Sequence, residues 1–159
     1  MSRVALFLDR DGVLNIDHGY ISRVEDFEPV EGIFEALRSA AARGYSLIVV
    51  TNQSGIGRGY FTEQDYEALE AHIQALFAAN GVDLTATYHC PHHPDAGCDC
   101  RKPKPGMILK AAREYNIDLA RSTMIGDKPS DIAAAQHAGV GKAVLVTSSK
   151  NIGSIISQL

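Results

Sequence analysis

Five short runs punctuate the chain, Val4 to Leu8, Ser46 to Val50, Thr85 to His89, Thr123 to Ile125 and Lys142 to Val146, and they read more as continuous apolar stretches than as alternation. That is the pattern of strands covered on both faces. Segments of helical period lie between them. Ile33, Phe34, Leu37, Ala40 and Ala41 recur at helical spacing before Gly44. Thr62 is placed to N-cap a helix whose apolar stripe is Tyr66, Leu69, Ile73, Leu76 and Phe77, with Gly81 beyond its end. Further helices are predicted over about 105–115, 130–138 and 152–159. Strands alternating with helices predict an α/β protein, an open and mainly parallel sheet in a three-layer arrangement.

A length of 159 residues predicts a single domain, 1–159, around one sheet. Apolar residues at 45% and charged residues at 21% are ordinary for a globular chain and exclude disordered or repetitive classes. The formal charge of −4 offers no broad attraction for nucleic acid or anionic lipid, so any anion site is local. The run from Val4 to Leu8 is too short for the core of a signal peptide, and no stretch approaches the roughly 20 apolar residues of a membrane span. The expectation is a soluble, cytoplasmic monomer acting on a small molecule.

Two connections, 9–32 and 89–105, are longer than turns require, and such loops usually carry function. In an open parallel sheet, ligands bind at the carboxyl ends of the strands. There the first strand delivers Asp9-Arg10-Asp11-Gly12, the second Thr51-Asn52-Gln53-Ser54-Gly55, and the fourth Gly126-Asp127-Lys128 with Asp131 following. Asp9, Asp11 and Asp127 crowded together repel one another unless a cation neutralises them, and an oxygen-only set suits Mg²⁺.

The second long loop reads Tyr88-His89-Cys90-Pro91-His92-His93-Pro94-Asp95-Ala96-Gly97-Cys98-Asp99-Cys100-Arg101-Lys102-Pro103 and holds every cysteine of the chain. Three cysteines this close together argue against a secreted disulfide framework. Cys90, Cys98, Cys100 and one imidazole form a closed tetrahedral set for a structural Zn²⁺, with no position left for substrate. His89, His92 and His93 compete for the fourth place. His92 is preferred because its offset of two from Cys90 mirrors that between Cys98 and Cys100.

Asp9-Arg10-Asp11-Gly12-Val13, Thr51-Asn52, a later lysine and Gly126-Asp127-x-x-x-Asp131 resemble the four motifs of haloacid dehalogenase-like phosphatases, over essentially the whole chain. The resemblance implies a Rossmann-like core, with Asp9 as nucleophile forming an aspartyl phosphate and Asp11 as general acid and base. It implies Mg²⁺ held by Asp9, the backbone carbonyl of Asp11 and Asp127, with Asp131 just outside. Thr51, the amide of Asn52 and Lys102 are implied to stabilise the transferred phosphoryl group. Asp at position 11 favours a phosphatase over a dehalogenase.

Asp17-His18-Gly19-Tyr20, the run from Thr51 to Gly59, and Cys90-Pro91-His92-His93-Pro94 with Cys98-Asp99-Cys100-Arg101-Lys102-Pro103 resemble the heptose bisphosphate phosphatases within that superfamily. Implied by that resemblance are removal of the 7-phosphate of D-glycero-D-manno-heptose 1,7-bisphosphate in activated-heptose synthesis, absence of a separate cap domain, and His92 as zinc ligand. Asp17, His18, Gly19, Tyr20, Gln53, Ser54, Arg101 and Lys128 are expected to contact substrate. The short zinc loop also resembles histidinol-phosphate phosphatases, which gives a second substrate, and a non-catalytic phospho-receiver or zinc-stabilised interaction module is the alternative of another class.

Overall fold

The computed structural model describes residues 2–159. Five strands, β1 (Val4–Leu8), β2 (Tyr45–Asn52), β3 (Ala86–Cys90), β4 (Thr123–Gly126) and β5 (Lys142–Leu145), form one sheet in the order β3-β2-β1-β4-β5. Every pairing is parallel, with Leu6 opposite both Leu47 and Thr123. The chain departs from β1 in both directions, which leaves a crevice at the carboxyl ends of β1 and its neighbours.

Among the described residues are six α-helices, all but the second packed on the sheet: α1 (Ile33–Ala42), α2 (Ser54–Gly57), α3 (Glu63–Ala79), α4 (Gly106–Tyr115), α5 (Pro129–Ala138) and α6 (Ile152–Ser157). Successive strand residues point to opposite faces. Leu6, Leu8, Leu47 and Val49 pack with α1, α3 and α6, whereas Ala5, Phe7, Ile48, Val50 and Met124 pack with α4 and α5. Two apolar layers therefore sandwich the sheet, which explains why the strand sequences lack clean alternation. No helix among the described residues is long and apolar enough to cross a membrane.

Thr62 caps α3 as its sequence predicts. Its Oγ1 accepts from the Asp65 N–H at 3.1 Å, and Asp65 Oδ2 accepts from the Thr62 N–H at 2.9 Å. Differences from expectation cluster at the crevice. β2 runs on to Asn52, and its glycine-rich exit winds into the single turn of α2.

Candidate active site

The backbone of Asp9 leaves β1 still bonded to β4, its N–H donating to Ile125 O at 3.1 Å. This fixes a carboxylate that is only 5% exposed. Its Oδ1 accepts from the Arg10 N–H at 2.9 Å and from Lys102 Nζ at 3.0 Å, while among the described residues no hydrogen bond occupies Oδ2. Lys102 is also buried and fills its three donor positions, on Asp9, on Val50 O at 2.8 Å and on Asp131 Oδ1 at 2.6 Å. Asp131 in turn accepts the Lys128 N–H on Oδ2 at 3.1 Å, so both of its oxygens are engaged.

Asp127 completes the cluster. Gly12 lies at φ +92°, and a Cβ there would overlap the Asp127 carboxylate, so glycine is needed both for the turn and for the close approach. Asp9, Asp127 and Asp131 each offer an oxygen within 4.8 Å of the others. Asp127 Oδ1 is buried with no hydrogen bond. Three carboxylates against the ammoniums of Lys102 and Lys128, the latter 3.6 Å from Asp127 Oδ1, still leave an excess of negative charge, and a buried carboxylate oxygen without a hydrogen bond within it fits a hard divalent cation. Burial pushes the Asp9 carboxyl up to about 7, opposed by Lys102 and reinforced by Asp131 and Asp11.

Asp11 sits in a dense polar cage. Arg10, 1% exposed, donates to it from Nε at 3.2 Å and from Nη2 at 3.2 and 3.3 Å. Asn15 Nδ2 adds a bond at 3.0 Å to Oδ1, and Gln53 Nε2 one at 3.1 Å to Oδ2. The same Gln53 amide donates to Thr51 Oγ1 at 2.9 Å. Gln53 thereby links the ends of β1 and β2, although the sequence suggested a sugar contact for it.

Around this cluster opens a cleft of about 330 Å³, lined by Asp9, Asp11, Asp17, Gly19, Tyr20, Asn52, Gln53, Ser54, Arg101, Lys102 and Lys128 among others. Most of the residues expected at the site are thus brought together. Three have other engagements as well. His18 turns to Glu28, Nε2 to Oε1 at 2.9 Å, and lines a separate acidic hollow with Glu25 and Asp26. Thr51 is buried beneath the cleft wall. The Asn52 side chain is committed to the backbone of Lys102, Oδ1 accepting the N–H at 3.0 Å and Nδ2 donating to the carbonyl at 3.2 Å. Arg10 and Asn15, to which sequence assigned nothing, hold Asp11. The only available signal was a lone arginine between two aspartates.

Cys90, His92, Cys98 and Cys100 converge with their ligand atoms within 4.8 Å of one another. Cys90 Sγ lies 3.3 Å from His92 Nδ1 and 3.6 Å from Cys98 Sγ, and His92 Nδ1 lies 3.2 Å from Cys100 Sγ. These spacings approach the edges of a tetrahedron with bonds of about 2.0–2.3 Å, whereas Cys90 Sγ and Cys100 Sγ sit closer than such an edge, at 2.9 Å. Desolvation raises the Cys98 thiol, but hydrogen bonds from the Arg101 backbone, Cys90 and Cys100 outweigh it and bring the thiol down to about 6. The rival imidazoles are occupied elsewhere. His89 stacks on Tyr66 at 3.9 Å and binds Glu63, and His93 accepts the Asp95 N–H at 3.1 Å.

Residues 99–154 match a family model described as HAD-hydrolase-like. The chain is 50% identical over 159 residues to the D-glycero-beta-D-manno-heptose-1,7-bisphosphate 7-phosphatase of Vibrio cholerae, covering 96% of this chain and 86% of that protein. Identity to the enzyme of the same name from Escherichia coli K12 is 48% over 155 residues, covering 93% and 81%. Among solved structures, D,D-heptose 1,7-bisphosphate phosphatase from B. bronchiseptica complexed with magnesium and phosphate aligns at a TM-score of 0.85 with 34% identity, covering 100% of this chain and 87% of that one.

Proposed function

Because this chain belongs to the D-glycero-beta-D-manno-heptose-1,7-bisphosphate 7-phosphatase family of HAD-like hydrolases, we propose that it removes the 7-phosphate of a heptose 1,7-bisphosphate during activated-heptose synthesis. The observation that carries the reading is Asp9, a buried carboxylate with Oδ2 unencumbered in the cleft and Oδ1 pinned by Lys102. That arrangement aims one oxygen at an incoming phosphorus and holds the other still.

In the first step Asp9 Oδ2 attacks the phosphorus, an aspartyl phosphate forms as the bond from phosphorus to O7 breaks, and Asp11 gives its proton to the departing oxygen. In the second, Asp11 takes a proton from water as that water attacks the phosphorus and Asp9 leaves as carboxylate. Arg10, Asn15 and Gln53 hold the Asp11 carboxylate between these tasks. Lys102 places its charge beside Asp9, and Arg101 and Lys128 bring further positive charge to the cleft wall. Magnesium, fitted by Asp9, Asp127 and the backbone carbonyl of Asp11, supplies charge against the repulsion between a carboxylate nucleophile and an anionic ester when bound. Zinc at Cys90, His92, Cys98 and Cys100 serves structure, since four protein ligands leave no open position. The protein acts as one phosphatase domain on a small sugar phosphate, as a cytoplasmic monomer. The loops at 17–21, 53–59 and 90–102 do the work of a cap.

The deciding measurement is kcat/KM for D-glycero-D-manno-heptose 1,7-bisphosphate against histidinol phosphate, with Mg²⁺ present. A preference of about tenfold or more for the heptose is expected, equivalent to about 1.4 kcal/mol of differential transition-state binding. Preference for histidinol phosphate overturns the substrate.

A further inference from the structure

Tyr20 is held in a conformation that neither the core nor the chemistry above requires. Its φ is +47°, in the left-handed region, and the residue is 53% exposed where it lines the cleft. A residue with a Cβ persists in that region when its surroundings over-determine it. At the ring those surroundings are Tyr60 and Arg58, while the neighbouring side chains are held by His18 Nε2 to Glu28 Oε1 at 2.9 Å and by Lys128 Nζ 3.8 Å from Asp17 Oδ2. The edge of one tyrosine ring meets the face of the other, centroids 4.8 Å apart and planes at 84°. The Arg58 guanidinium carbon lies 5.8 Å from the Tyr20 centroid, and Arg58 Nε donates to Ser54 Oγ at 3.2 Å. Tyr60, 60% exposed, does not line the cleft, so any effect it has on a ligand passes through Tyr20.

The two segments that meet here differ in firmness. Residues 54–60 are tied by Arg58 N–H to Ser54 O at 2.9 Å, Tyr60 N–H to Gly55 O at 2.8 Å and Gly57 N–H to Pro91 O at 2.8 Å. Among the described residues, the backbone of 17–21 has two hydrogen bonds, Gly19 N–H to Asp17 Oδ1 at 2.9 Å and Arg10 Nη2 to Ile21 O at 3.3 Å. The firm segment therefore holds the loose one by its aromatic contact.

We propose that Tyr60 and Arg58 are positioning residues that clasp Tyr20 at the mouth of the cleft, making 17–21 and 54–60 a single wall that selects phosphate esters with a bulky polyol body over small ones. The proposal rests on the sugar-phosphate reading above. A small ester, held chiefly at Asp9 and Lys102, has little body to set against this wall. A large one has more, and an unclasped Tyr20 has to be ordered at the expense of its affinity.

The test compares wild type, Tyr60→Ala and Tyr60→Phe on heptose bisphosphate and on p-nitrophenyl phosphate, with amide hydrogen exchange of the Tyr20 loop as a measurement independent of substrate. Tyr60→Ala is expected to raise KM for the bisphosphate about five-fold with kcat nearly constant, the loss of one edge-to-face pair. Its KM for p-nitrophenyl phosphate stays put, exchange over 18–21 accelerates, and Tyr60→Phe, which keeps the ring, restores both. An unchanged KM for the bisphosphate, an equal loss on both esters, or unchanged exchange overturns the clasp. Wild type that ignores heptose bisphosphate overturns the substrate reading alone, and exchange over 18–21 then decides the clasp.

Discussion

Asp9 is where opposing local forces are most evenly matched. Desolvation and the carboxylates of Asp131 and Asp11 favour its neutral form, Lys102 favours the charged one, and the balance leaves the carboxyl at about 7. A divalent cation binds only the deprotonated group, so cation and proton compete for it. Below about pH 7 binding must expel a proton, and Mg²⁺ affinity falls as acid is added. Calorimetric titration of the metal-free cleft with Mg²⁺ should give an association constant about tenfold lower at pH 6 than at pH 8. A constant that does not change over that range would place the proton elsewhere. Asp9, Asp11 and Asp127 could be read from the sequence because carboxylates gathered at strand ends are rare enough to attract notice, whereas Lys102, in the loop before α4, is reached only through the family resemblance. Arg10 could not, since its burial under Ile21 arises only when the 9–32 connection folds back. Nor could Asn52. A polar side chain at a strand end has the same signature whether it faces a ligand or, as here, a backbone fifty residues away.

Among the elements, α2 shows how a glycine-rich exit becomes structure. Gly57 packs so closely on the zinc loop that a Cβ would overlap His93 N and Pro91 O, while its own N–H bonds Pro91 O. Gly55 similarly admits the Phe61 ring. In the sequence these glycines signal a turn, because close approach between distant segments leaves no mark on local pattern. The long elements were legible, since periodic apolar positions and the Thr62 cap are local properties. Gly57→Ala should force α2 and the zinc loop apart, costing about 1–3 kcal/mol, as overpacking does, and lowering Tm by about 2–4 °C per kcal/mol. Because the displaced neighbour carries His92 and His93, zinc should also pass to a chelator faster in this variant. Differential scanning calorimetry and a colorimetric zinc-release assay check the two effects. Wild-type values in both would mean that the loop yields without cost.

At the scale of the molecule, the sheet order places β1 and β4 side by side and so joins Asp9 to Asp127. What makes the site whole is a loop with little apolar core of its own. Lys102 reaches the sheet from that loop and is located by three separate attachments. The Cys90, His92, Cys98 and Cys100 cluster closes the loop, Gly106 N–H bonds Asp99 O at 3.1 Å, and Asn52 grips the Lys102 backbone on both sides. Two perturbations separate these attachments. Chelating all metal and restoring only Mg²⁺ should leave turnover depressed until Zn²⁺ is returned, because the loop closes through its four ligands. Asn52→Asp should keep stoichiometric zinc yet turn over about 100-fold more slowly, since a carboxylate oxygen then faces the Lys102 carbonyl and displaces the ammonium from Asp9. Zinc content by atomic absorption, measured beside kcat, tells the two apart. Full activity of the zinc-free protein with Mg²⁺ alone, or wild-type kcat in Asn52→Asp, would show that Lys102 finds its place without the loop being held.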